Sequence, residues 1–135
     1  MNHRPPHRRG ANAIEFALVL PVLFGLMGAI MDYGWYFHRQ LVLVGIVRDA
    51  TRAAATTPWG EDVTPVDVAE EKVLLFLDDY GYTGQVALNV KTYGEAPSER
   101  LEVAVALPHQ SLVGFGFVPE KLVSIYSMRL EDQPQ

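Results

Sequence analysis

Two carboxylates stand where a carboxylate is costly. From Ala11 to Phe37 the chain is an almost unbroken apolar stretch, and the only charged residues inside it are Glu15 and Asp32. A charge well inside a membrane-length segment costs roughly 2.5–3.5 kcal/mol on insertion scales, so it must be paired, reach the interface or serve a function. In apolar surroundings a carboxylate strongly favours a cationic partner, supplied by its own chain or by another. The other residue types that carry chemistry are not arranged to use it. His3 and His7 are four apart but separated by Pro5-Pro6, while His38 and His109 stand alone, and there is no cysteine. No Ser-His-Asp set, Cys-His pair or phosphate-cradling glycine loop is visible. The chain therefore reads as a non-enzyme, with no cofactor and no metal.

The element that must position Glu15 and Asp32 is a long helix. The segment from Ile14 to Phe37 exceeds the ~20 residues that cross a bilayer as a helix. Arg4, Arg8 and Arg9 precede it, which keeps that end cytoplasmic, and Tyr33, Trp35 and Tyr36 read as an aromatic belt at the far interface. A cleavable secretory signal has a shorter apolar core and a small-x-small site. Here the run is too long and ends in Asp32-Tyr33-Gly34-Trp35. A mitochondrial presequence is amphipathic and Ser-rich, unlike Met1–Gly10, and a lipoprotein anchor needs a cysteine. The segment is expected to remain in the mature protein.

The string Arg8-Arg9-Gly10-Ala11-Asn12-Ala13-Ile14-Glu15-Phe16-Ala17-Leu18-Val19-Leu20-Pro21 resembles the class III signal of type IV prepilins. It is most similar to the TadE-like minor pilins, or pseudopilins, of the tight-adherence (Flp) pilus system. The specific part is E-F-A-L-V-L-P; a glycine followed five residues later by glutamate would alone be weak. The resemblance is strongest from Gly10 to about Thr57. It implies cleavage by a membrane-embedded prepilin peptidase between Gly10 and Ala11. It also implies that Glu15 is the acidic position of the pattern, Phe16 its aromatic neighbour and Pro21 the proline of the apolar helix. Asp32 is a second acidic residue near the outer end of the span.

Such a cleavage would have a chemical consequence. The new α-amine on Ala11, with an unperturbed pKa of about 7.7–8.0, would be largely charged at neutral pH. Glu15 lies one helical turn further on, and pairing with the amine of a neighbouring subunit would set the axial register of adjacent helices. The alternative is a favourable charge near a helix N-terminus. Pro21 removes a backbone hydrogen bond within the helix and gives it local flexibility, while Gly25 and Gly28 would let another helix approach closely.

Beyond the aromatics no helix breaker occurs until Pro58, and Leu43, Val47, Ala50 and Ala54 form one apolar stripe. A continuous helix from Ala11 to Thr57 would be roughly 70 Å long, with its outer part a stalk that needs covering. The covering head is expected in 58–135, after a turn at Pro58-Trp59-Gly60. Thr64-Pro65-Val66-Asp67 is a helix start with a Thr cap, Pro at the first position and Asp in the capping-box place. Val66, Ala69, Val73, Phe76, Leu77 and Tyr80 share a face, and Gly81 stops the helix. Three alternating runs follow, with Val86, Leu88 and Val90, then Leu101 to Leu107, then Leu122 to Met128 pointing inwards. Gly94–Ser98 makes the first connection. The expected fold class is α+β and pilin-like: a long N-terminal transmembrane and stalk helix, a second short helix and a three-stranded antiparallel sheet.

The connection Pro108–Pro119 carries Leu112, Val113, Phe115 and Phe117 among glycines. These residues either fold back onto the core or contact a membrane surface or a neighbouring subunit; Leu112, Phe115 and Phe117 are the candidate interaction residues. Loss of residues 1–10 would leave eight basic against sixteen acidic residues, a net charge of −8 compared with −5 for the whole chain. An acidic exterior argues against nucleic acid as a partner. The division expected is a basic leader (1–10), a membrane and stalk helix (11–57) and a small extracytoplasmic head (58–135). The resemblance implies a bacterial inner-membrane location and, as partners, the prepilin peptidase, other pilin and minor-pilin subunits, the inner-membrane assembly platform and the lipid bilayer. An uncleaved single-pass accessory subunit and a secreted binding module are the other readings.

Overall fold

The computed structural model describes residues 9–58, 63–82, 84–94, 98–115 and 118–130. The elements run α1 (Arg9–Thr56), α2 (Pro65–Asp79), β1 (Ala87–Tyr93), β2 (Arg100–Pro108) and β3 (Lys121–Arg129). This is the α+β arrangement expected: a long apolar N-terminal helix, a short helix and a three-stranded antiparallel sheet of order β1-β2-β3. Arg4 and Arg8, the tip of the turn at Trp59-Gly60 and the middle of the Gly94–Ser98 connection lie outside the described residues.

Helix α1 is one uninterrupted helix of 48 residues that continues through Pro21. Its two halves bury different amounts of surface. Between Asn12 and Met27 every described side chain is exposed or only partly covered; from Gly28 onward a stripe of buried positions begins. Gly28 and Asp32 open it, half-buried Tyr36 continues it, and Leu43, Ile46, Val47, Ala50, Thr51, Ala54 and Ala55 complete it. Steps of three and four keep these residues on one face of a helix. Thr51, the polar member, returns its hydroxyl to the Val47 carbonyl at 2.6 Å, so no lone donor is buried.

The head closes over that stripe. Helix α2 starts with a complete capping box: the Asp67 backbone N–H donates to Thr64 Oγ1 and the Thr64 N–H donates to Asp67 Oδ2, both at 3.2 Å. Those hydrogen bonds to Thr64 hold the Asp67 carboxyl below its usual range. At the other end Gly81 takes φ +72°, and Tyr82 N–H reaches the Leu77 carbonyl while Gly81 N–H reaches that of Asp78. This six-to-one and five-to-two pair ends a helix with a glycine in the left-handed region. Ala69, Val73 and Leu77 are buried against α1, whereas Tyr80, expected on the same face, is exposed one turn later. Tyr80 falls at the C-cap, where the chain already turns away.

The sheet pairs Val90 with Val103 and Val103 with Tyr126, so the inward residues of the three strands lie in rows. Leu101, Val103, Val105, Leu107 and Leu122 are buried, and with α1 and α2 they form a single core. Helix α1 packs chiefly on α2 and β3. Gln40 on α1 donates its side-chain amide to the Val123 carbonyl at 2.7 Å, tying the helix to the last strand.

Candidate functional site

The first half of α1 places the residues of the N-terminal pattern on a helix with no cover. Gly10 and Ala11 lie in its first turns, and Glu15 and Phe16 one to two turns later, both exposed. Pro21 is exposed within the helix. Among the described residues Glu15 has no hydrogen-bond or ion-pair partner. Around it Ile14, Leu18, Val19, Val22 and Leu23 are exposed as well, so the helix is apolar on every face. Only 6% of its most apolar 18-residue window is buried. A helix that is apolar all round is at home inside a bilayer or among other helices, and this one is long and apolar enough to cross a membrane.

The second assembly lies where the head meets this helix. At the base of the β2–β3 connection, His109 N–H donates to the Glu120 carbonyl at 2.7 Å, extending the ladder one pair beyond Pro108 and Lys121. The loop then turns down along α1. Val113 N–H donates to Asp32 Oδ1 at 2.7 Å, and Asp32 has no exposed surface. A little further along, the Phe115 ring lies on the backbone of Gly28: a Cβ there would stand 2.9 Å from its Cδ2 and 3.3 Å from its Cβ. The glycine is what lets the loop come this close.

His109 fills the angle between loop and helix. It is 6% exposed and meets Tyr36 edge-on at 5.2 Å between ring centroids. Neither ring nitrogen has a hydrogen-bond partner among the described residues. Burial, helped by the positive charge of Arg39, lowers its pKa below that of an ordinary histidine, and Asp32 opposes them. Arg39 itself lies over the Tyr82 ring at 4.5 Å and near Trp35 at 5.9 Å, a cation held between aromatic faces just beyond the apolar segment. Among the described residues no three histidine or carboxylate side chains gather where they could hold a metal ion.

Residues 10–52 match the family model described as TadE-like protein. The match starts at the glycine of the N-terminal pattern and ends within the stalk, so it covers the apolar helix and all of the buried stripe but Ala54 and Ala55. Over these residues the N-terminal helix is similar to that family. No curated protein and no solved structure gives a significant match to the chain.

Of the candidate interaction residues, Leu112 and Phe115 are 63% and 59% exposed, while Phe117 lies outside the described residues. The structure does not bring them to Glu15, which sits more than three helical turns below Phe115's contact at Gly28. The loop folds back onto α1 through the Val113 amide and one side of the Phe115 ring, while Leu112 and the rest of Phe115 are exposed. Asp32 is conspicuous in the sequence as a carboxylate in an apolar segment, but nothing there names Val113 as its partner. His109 lacks any companion at ligand spacing, and Gly28 signals only the approach of a helix.

Two outcomes follow from this geometry. Gly28→Val puts branched carbons where the Phe115 ring now lies. It is expected to release the loop, speeding hydrogen exchange at the Val113 amide while amides around Leu43 stay protected; unchanged protection at Val113 would show that the close approach is dispensable. The second concerns pH. A histidine free of the loop contact titrates at about 6.5, whereas docked His109 titrates lower. The undocked state therefore binds more protons, so docking is at full strength above about pH 6.5 and weakens as pH falls through the docked pKa. Val113 protection, corrected for intrinsic exchange, is expected to drop across that window and to lose this dependence in His109→Phe. An equal dependence in the variant would remove His109 as its source.

Proposed function

We propose that this chain is a minor pilin, or pseudopilin, that is cleaved by a prepilin peptidase between Gly10 and Ala11. It is held in the bacterial inner membrane by α1, with its N-terminus cytoplasmic and its head outside. There it contributes without catalysis to the assembly, priming or capping of a tight-adherence pilus or a related secretion machine. The observation that carries this reading is the coincidence of the TadE-like match, residues 10–52, with a helix that is apolar on every face and carries an exposed carboxylate at Glu15. TadE-like character points to pilus components as partners in general. The peptidase, other pilin and minor-pilin subunits and the inner-membrane platform are the specific ones proposed.

In this reading the uncovered half of α1 faces lipid before assembly and neighbouring helices afterwards. Glu15 takes the α-amine of Ala11 on an adjacent subunit as its cation, which fixes how far one helix slides along the next. An ion pair of this kind contributes specificity of register more than net stability, because both charges must leave water or headgroups to form it. Pro21 gives the helix a weak point at which it can adjust between the two surroundings. An uncleaved single-pass accessory subunit is favoured by one feature, the helical conformation of the Gly10–Ala11 peptide, since α1 already begins at Arg9.

The deciding measurement is the N-terminus and intact mass of the membrane-extracted protein, with and without its prepilin peptidase. A peptidase-dependent start at Ala11 is expected; a chain that keeps residues 1–10 in both cases would leave the uncleaved anchor. Glu15→Ala is then expected to lower incorporation into the assembled machine with little change in protein level or membrane insertion. Normal incorporation of the variant would remove the register role.

A further inference from the structure

The β2–β3 loop reaches a depth on α1 that an ordinary head-domain loop would not. With the hydrocarbon core taken as ~30 Å and the helical rise as ~1.5 Å, a span that starts at Ile14 leaves the core near Gly34. Gly28, where Phe115 rests, is then about 9 Å inside the far boundary; for a span that starts at Ala11 it is about 5 Å inside. Between His109 and Glu120 the chain has no charged residue, and at the docked level Leu112 and Val113 are exposed, as is Phe115 outside the part of its ring that rests on Gly28. We infer that this loop is a second membrane element, inserted beside α1 into the acyl chains of the outer leaflet.

Backbone chemistry supports the same placement. Non-helical backbone at membrane depth is tolerated where protein satisfies its polar groups, and the Val113 N–H is satisfied by Asp32. The carboxylate gains equally: it sits within the apolar segment, has no exposed surface and accepts a charge-assisted hydrogen bond from the loop. This pairing lowers the cost in lipid of both the amide and the carboxylate. Above them Arg39, held against Tyr82 and Trp35, is placed at headgroup level, where an arginine between aromatic rings is well accommodated. Insertion of 5–10 Å is the usual depth for apolar groups that lie in an interface without crossing it. The occupant is the lipid acyl chain, and the inference rests on the membrane-anchored reading of α1.

The chain has no cysteine, so a single introduced thiol can be labelled uniquely. The full-length protein is reconstituted in phosphatidylethanolamine–phosphatidylglycerol vesicles and carries an environment-sensitive fluorophore at one of four sites. Leu112→Cys and Phe115→Cys report the loop, Met27→Cys reports α1 at the same level, and Tyr93→Cys reports the far end of the sheet. Leu112 replaces a side chain that is already exposed, so it remains informative should Phe115→Cys loosen the loop. Acyl-chain bromine is expected to quench the label at Leu112, Phe115 and Met27 with blue-shifted emission, and aqueous iodide to quench it at Tyr93. Lipid quenching at Met27 with iodide quenching at both loop sites overturns the inference and leaves the anchor standing. Iodide quenching at Met27 as well overturns both. Loop sites shielded from bromine and iodide alike, with cross-links between copies, would assign the loop to a subunit contact and overturn its place in lipid.

Discussion

One helix carries two kinds of surface, apolar all round in its first half and apolar along one stripe in its second, and the rest of the molecule is arranged around that constraint. A 48-residue helix satisfies its own backbone wherever it lies, but it cannot hide its side chains. Along its first half the apolar residues go all the way round, so nothing attached to this chain could cover them from one side. Along its second half they narrow to a stripe, and a stripe can be covered by a small domain. The head is the minimum needed for this: one capped helix and three short strands, whose inward rows meet Leu43, Val47, Ala50 and Ala54 in a single core. The head is therefore stable because of the helix, and the outer half of the helix is covered because of the head.

The boundary between the two regimes is not a clean line. The buried stripe opens at Gly28 and Asp32, well within the segment that is apolar enough to span a membrane. The loop after β2 follows the stripe down to this level. Its hydrogen bond to Asp32 is of the charge-assisted kind, with a net contribution of about 1.5–3 kcal/mol. A carboxylate at the centre of a span costs roughly 2.5–3.5 kcal/mol, and one near its end, as Asp32 is, costs less. One backbone amide thus offsets much of the penalty that makes Asp32 conspicuous. Glu15 has no such answer among the described residues, and the two carboxylates differ for that reason: one accepts a hydrogen bond from the fold, and the other stands exposed.

Elements whose signal is local were legible in the amino-acid order. The alternation of Leu101, Val103, Val105 and Leu107 specifies a strand buried on one face, and the Thr64–Asp67 pair and Gly81 bracket α2 because capping needs only residues within a turn of each other. The stalk stripe was legible for the same reason. The 108–119 connection was not. Its apolar residues follow neither a period of two nor one of 3.6, so composition alone left both burial and exposure open. The structure resolves this by dividing the loop, with Val113 N–H and one side of the Phe115 ring turned to the helix while Leu112 and the rest of Phe115 are exposed. His109 was unreadable because its surroundings, Tyr36, Arg39 and Asp32, are supplied by a helix some seventy residues earlier.

What the sequence by itself determined is the order of elements, the apolar helix and its TadE-like pattern, because hydrophobic period, caps and short motifs are properties of neighbouring residues. What only the tertiary structure decided is where along α1 the head comes to rest. That position depends on one glycine small enough to admit Phe115, on a carboxylate and an amide eighty-one residues apart, and on the length of a strand pair that delivers one to the other. None of these is a local preference. Each is a distance, and distances between remote residues exist only once the chain has folded.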